Sequence, residues 1–177
     1  MNSEDTIYGP AVLDMFTVAN EFCIFIEKSE RYAKEDVLTY LAKVAPLLYI
    51  KGILLPTVTV EYPEANERYV TEEQWQDLFN ALRNSFGRDD VFINMNPATR
   101  EDNNALASSL AENLTDIYQD MKDFVLLFGK ESHAARENAV YELSQLFKTH
   151  WGHRLVDMHR YVHYLLHKTF IVAEDSY

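Results

Sequence analysis

The sequence predicts an all-α protein: an antiparallel bundle of about five helices, ending in a long C-terminal helix that bends near Gly152. Three observations predict it. Only 5 Gly and 5 Pro punctuate 177 residues, too few breakers for a many-stranded sheet. Apolar side chains recur at spacings of three and four through most of the chain. The apolar fraction is 47%, with 11 Tyr and 10 Phe, which is too high for a disordered chain. A chain of this size buries roughly 70% of its unfolded surface, so a single domain over residues 1–177 is expected.

The first helix should run from Pro10 to about Glu30, with proline at its start where the missing N–H costs nothing. Leu13, Phe16, Ala19, Phe22, Cys23 and Ile26 form its broad apolar side. The second spans about Glu35–Leu55, with Pro46 inside it as a kink or a junction of two helices. Thr57–Tyr62 alternates briefly but has no evident partner strand, and reads as an extended loop. The third helix opens at Thr71, where Thr71-Glu72-Glu73-Gln74 fits a capping box, and stops at Gly87. Residues 88–102 are polar and read as a long loop. The fourth helix should cover about Asn104–Phe128, with Leu106, Leu110, Leu114, Ile117, Met121, Phe124 and Phe128 as its stripe. The fifth should run from Ser132 to about Phe170, with Gly152 bending it.

The net charge of −12 argues against nucleic acid and anionic membrane surfaces as partners, because both are bound mainly by Lys and Arg. The N-terminal decapeptide lacks a cationic start and an apolar run, so no secretory signal is expected. The most apolar stretch, Val12–Ile26, is too short and too polar to span a bilayer, and the cytoplasm is the expected location. Cys23, the single cysteine, sits among Phe22, Ile24, Phe25 and Ile26, where a thiol behaves as a small hydrophobe.

Five of the six histidines lie in the second half of the fifth helix: His150, His153, His159, His163 and His167. Two histidines one turn apart can ligate a metal if a third ligand arrives from elsewhere. At 100° per residue, however, His159 sits at the edge of the Trp151, Leu155, Met158 and Val162 face, while His163 and His167 turn progressively away from it. Three ligands should converge, and these diverge. The carboxylate row Glu112, Asp116, Asp120 and Asp123 reads as a solvated face of the fourth helix. Only Asp120 nears the apolar boundary, where a hydrogen bond to a fifth-helix histidine is expected. Gly152, Val156, His159 and His163 share a stripe, and a glycine inside a helix suggests a close neighbour, another helix or another subunit. The loop Arg88–Asn96 does not follow the EF-hand ligand order. No phosphate loop, nucleophile elbow or paired cysteine occurs.

Two segments carry a family resemblance. One is Ser109–Lys122 (SLAENLTDIYQDMK); the other is His150-Trp151-Gly152-His153 followed by Leu155-Val156-Asp157-Met158-His159. With Leu47-Leu48-Tyr49-Ile50-Lys51 and Leu54-Leu55-Pro56, they resemble a family of small bacterial proteins catalogued as domain of unknown function 5063. The resemblance implies an all-helical bundle and brings no activity with it. The family pattern tends to Arg where this chain has Gln119, and to a small residue where it has Met158.

The leading functional expectation is a non-enzymatic module acting through protein–protein contacts, a homodimer included, with Gly152, Val156, His159 and His163 as its surface. The alternative is a metal-binding protein or metal-dependent enzyme. Its site would draw on His150, His153, His159, Asp116 and Asp120 between the fourth and fifth helices. No organic cofactor is expected, and a divalent metal is the one cofactor the sequence leaves open.

Overall fold

Gly9-Pro10 opens α1, Pro10–Ile26, and places proline at the first helical position. The computed structural model describes residues 6–94 and 106–174. The buried side of α1 is Val12, Met15, Ala19, Phe22, Cys23 and Ile26, one step round from the expected stripe, and Leu13 is exposed. The helix ends four residues earlier than expected, and a short 3₁₀ turn, Ser29–Arg31, leads into α2, Lys34–Ile53. This helix passes Pro46 without a break. Pro46 sits on its exposed side, where solvent can take over the lost hydrogen bond.

Residues 55–60 are irregular, as expected of the alternating segment. At α3, Glu72–Phe86, the capping box is complete. The Gln74 N–H donates to Thr71 Oγ1, and the Thr71 N–H donates to Gln74 Oε1 at 3.0 Å. Gly87 stops the helix with φ +56°, a conformation side chains rarely adopt.

Beyond Gly87 the chain departs from the expected long loop. Val91–Asn94 forms β1, paired antiparallel with β2, Leu106–Ser109. The β-branched and aromatic run Val91-Phe92-Ile93 suits a strand. Its partner comes from residues that the 3,4 spacing assigned to the next helix. That helix, α4, is Leu110–Phe128 and begins later than expected because its N-terminal N–H groups find their acceptors there. The Ser109 hydroxyl accepts from the Glu112 N–H, while the buried Asp90 carboxylate accepts from Ala111 N–H at 2.8 Å and from the Ser109 hydroxyl. Asn96 and the expected helix start at Asn104 lie outside the described residues.

Ser132 caps α5, His133–Leu146, which runs through a π-helical turn, Phe147–Trp151, into α6, Gly152–Glu174. Where a bend was expected, the helix takes a π turn. A π turn carries one extra residue, and the carbonyl of Phe147 is pushed to where a side chain at position 152 would stand. A Cβ on Gly152 would lie 2.2 Å from that oxygen. The close neighbour inferred for Gly152 is thus its own chain. The inter-helix approach falls instead at Gly52 of α2, where a Cβ would lie 2.3 Å from the Trp151 ring.

Helix α4 packs against α1, α3, α5 and α6, while α2 packs along α6. Phe16 of α1 meets Phe124 and Phe128 of α4, and the far end of α1 reaches Tyr118 through Glu27, so the two helices run antiparallel. Much of the aromatic surplus is spent on such pairs, including Phe25–Tyr40 and Phe92–Tyr161. Cys23 is buried among them, and burial pushes its thiol up to about 12, so it stays protonated. No helix among the described residues is long and apolar enough to cross a membrane.

Exchanging glycine for alanine inside a helix ordinarily stabilises by about 1 kcal/mol. Gly52→Ala should do the opposite, lowering unfolding free energy by about 1–3 kcal/mol, because its methyl group would overlap Trp151 and Phe147. Urea denaturation followed by Trp fluorescence reads the sign directly.

Candidate functional site

Because α4 has neighbours on nearly every side, its acidic residues cannot all reach water. The expected solvated row is a correction: of Glu112, Asp116, Asp120 and Asp123, only Glu112 is exposed. Asp120 is 2% exposed and Asp123 is buried. A single helical wheel assigns one face to the core. Here α3, residues 66–70 and the α5–α6 rod cover the second face, and the carboxylates form a polar seam beneath them.

The seam is well supplied with donors along most of its length. Asp123 Oδ1 accepts from the backbone N–H groups of Tyr69 and Val70, at 2.8 and 3.0 Å, pinning that segment to α4. Burial raises the Asp123 carboxyl above its ordinary range, and those two N–H groups pull it back down. His150, on the π turn, brings Nδ1 to 2.6 Å from Asp120 Oδ2. An ionised carboxylate only accepts, so Nδ1 is the donor, and Nε2 is left on the Asp116 side. Asp116 Oδ1 accepts from Trp75 Nε1 at 3.0 Å, and Asp116 Oδ2 accepts from Arg154 Nε at 2.9 Å. Arg154 Nη1 also reaches the His150 carbonyl and His153 Nε2, at 3.3 and 3.1 Å. The nitrogen that accepts from Arg154 is unprotonated. Burial first, and then the Arg154 charge, hold His153 below the usual 6.5.

A carboxylate fixing the tautomer of a half-exposed histidine is the arrangement used to orient metal ligands and general bases. In this chain Arg154 stands where the further ligand would be. His150 Nε2 is 3.9 Å from Asp116 Oδ2, but that oxygen already holds the guanidinium. The five residues marked for a metal therefore divide. Asp116, Asp120 and His150 come together, and His153 joins them only through Arg154. His159 lies apart, against Ala45, Pro46 and Tyr49 of α2. No group of three or more His, Cys, Asp or Glu side chains converges among the described residues. Sequence reasoning missed Trp75 and Arg154. The available signal was Arg154 one turn beyond His150 in a helix facing a carboxylate row.

Of the stripe expected to make contacts, Gly152 is buried, Val156 and His159 border an apolar groove against α2, and His163 is exposed one turn further on. His159 is half-buried, its Nδ1 has no partner among the described residues, and burial lowers its pKa.

A family model described as Domain of unknown function (DUF5063) matches residues 6–168. The crystal structure of protein BF1032 from Bacteroides fragilis is similar over 90% of this chain and 94% of that one, at 29% identity and a TM-score of 0.80. A comparison with curated proteins found no match.

The depressed pKa of His153 makes stability depend on pH. The unfolded chain binds the proton more readily, so stability falls as pH drops through 6.5 and levels off below the folded pKa. His153→Gln should lose less stability than the parent between about pH 7 and pH 5. Urea midpoints at the two pH values measure this, and an unchanged slope would refute it.

Proposed function

The chain belongs to the DUF5063 family, which brings no assigned activity, and we propose that it is a docking module for an amphipathic helix with acidic flanks. The observation that carries this reading is a groove of about 250 Å³ between α2 and α6, lined by Ala45, Pro46, Tyr49, Ile50, Val156 and the edge of His159. Its lips are large apolar side chains that the fold leaves outside: Ile50 is 53% exposed, Ile53 61% and Val156 51%. Leu47 of α2 and Leu54, just past its end, are exposed as well. Scattered exposed hydrophobics need no explanation, but a contiguous set around a groove is characteristic of an interaction site. The parallel with helix-in-groove recognition is geometric: two antiparallel helices leave a trough of the right shape for a third.

Charge selects the partner. The chain carries −12, yet two exposed cations, Lys43 and Arg160, stand one turn from groove residues on α2 and α6. Lys43 precedes Pro46 and Leu47 by one turn of α2, and Arg160 follows Val156 by one turn of α6. Both are exposed, and neither is engaged by a carboxylate among the described residues. In a two-fold dimer through this groove the same surface would meet itself, setting these cations against their copies. A separate helix with a Leu-type stripe and Glu or Asp beside it satisfies both the apolar trough and its rim.

A fluorescent synthetic helix with Leu at core spacing and Glu on its flanks is the probe. Its anisotropy should rise saturably with added protein. Ile50→Asp combined with Val156→Asp should abolish the rise, and Lys43→Glu with Arg160→Glu should weaken it about tenfold. Equal binding of a Leu/Lys helix, or binding by the Ile50→Asp, Val156→Asp variant, would overturn the reading. So would a dimer mass in light scattering that Ile50→Asp reduces to a monomer, since the occupant would then be a second copy.

A further inference from the structure

An open cleft of about 770 Å³ lies between the hairpin, the start of α4 and the π turn with α6. Asp120 meets His150 and Asp116 meets Arg154, so α4 and the α5–α6 rod run antiparallel beside it. That register spreads the charges lining the cleft along its length. Glu112 lies one turn from Asp116 toward the hairpin, and Asp157 lies a turn beyond Arg154 in the same direction. Lys148, on the π turn, lies the other way. From the helical rise per residue, Glu112 and Lys148 stand about 15 Å apart along the bundle. These groups are not spent on one another. Lys148 and Glu112 are exposed, and no side chain among the described residues pairs with either. Arg154 commits Nε to Asp116 and Nη1 to the His150 carbonyl and the His153 ring, which leaves Nη2 without an acceptor among the described residues. Asp157 Oδ2 accepts from Asn94 Nδ2 at 2.7 Å, and the buried Asn113 amide donates to Ser108 Oγ. Apolar side chains stand at both ends, Leu106 by the hairpin and Phe147 by the π turn.

We propose that this cleft binds a short peptide with free ends, about three residues long, its ammonium at Glu112 and Asp157 and its carboxylate at Lys148. A concavity of this size, part apolar and with several polar groups turned into it, suits a small ligand. The charge pattern decides the class. A phosphate or a dicarboxylate would be drawn to Lys148 but repelled by Glu112 and Asp157, and a polyamine would meet the reverse conflict. A zwitterion satisfies both ends. The separation excludes a single amino acid, whose two charges sit on one carbon. Three extended residues cover about 10 Å, and the long Lys148 and Glu112 side chains reach the remainder. Between the ends, a peptide carbonyl is the acceptor that Arg154 Nη2 lacks, and the Asn94 and Asn113 amides match peptide groups in kind. Leucine-type side chains suit the apolar ends at Leu106 and Phe147. The cleft adjoins the α2–α6 groove at Tyr49 and Val156, but its charged groups lie outside that groove, so the peptide site stands or falls independently of the docking reading.

The tripeptide Leu-Ala-Leu, titrated calorimetrically into the full chain, tests this. Saturable one-to-one binding is expected. Acetylating its N-terminus or amidating its C-terminus should each weaken binding about tenfold. Lys148→Glu should weaken the free peptide about tenfold and erase the penalty for amidation, while the penalty for acetylation stays. Glu112→Gln should shrink the penalty for acetylation and leave that for amidation. Both substitutions replace exposed side chains without partners, so the fold is kept, and neither touches the lining of the α2–α6 groove. If Leu-Ala-Leu neither titrates saturably nor raises Tm, the proposal is wrong. It is equally wrong if the doubly blocked peptide binds as well as the free one, or if Lys148→Glu binds the free and amidated peptides as the parent does.

Discussion

The structure depends on α4 being enclosed. A helix with four helical neighbours has little free surface on which to place its carboxylates, yet Asp116, Asp120 and Asp123 are there. Burying three acids without partners would cost several kcal/mol each. The fold answers by aiming a donor at each one: Trp75 from α3 and Arg154 from α6 at Asp116, His150 from the π turn at Asp120, and the backbone of residues 69–70 at Asp123. These contacts also set the positions of the elements that supply them. The seam therefore links otherwise separate pieces of the chain in register along one helix.

The π turn follows from the same requirement. One extra residue between α5 and α6 rotates what comes next, and His150 is presented to α4 from within that turn while Trp151 enters the core. The extra residue displaces the Phe147 carbonyl, and only glycine at 152 leaves room for it. Trp151 then needs space on its other side, which Gly52 of α2 provides. Two glycines on different helices thus serve one turn, and α2 docks on α6 as a consequence. The outer face of that packed pair carries the apolar groove, so the interior polar seam and the exterior groove are joined through a single irregularity.

The Asp120–His150 pair has the form that catalytic and metal centres use, but an arginine occupies the position beside it and both oxygens of Asp116 are engaged. What the pair visibly does is hold α6 on α4. Among the described residues, the groups left without partners include the exposed apolar side chains of α2 and α6 and the second oxygens of Asp120 and Asp123.

Local physics made most of the bundle legible in the sequence. The capping box at Thr71, the stop at Gly87 and the start at Ser132 depend on residues within a turn of one another. The apolar face of α6 and the outward drift of His163 and His167 follow from helical period alone. The short hairpin was not legible, because Leu106 fits a helical stripe and a strand equally well until Asp90 arrives from a distant position to cap α4 at Leu110. The carboxylate row was misjudged for a related reason. A wheel shows which face of a helix is apolar, but not how many neighbours the helix will have. Only the tertiary structure decided that α4 has neighbours on both faces, and with that it decided which acids are buried, which cations answer them and where unpaired oxygens are left.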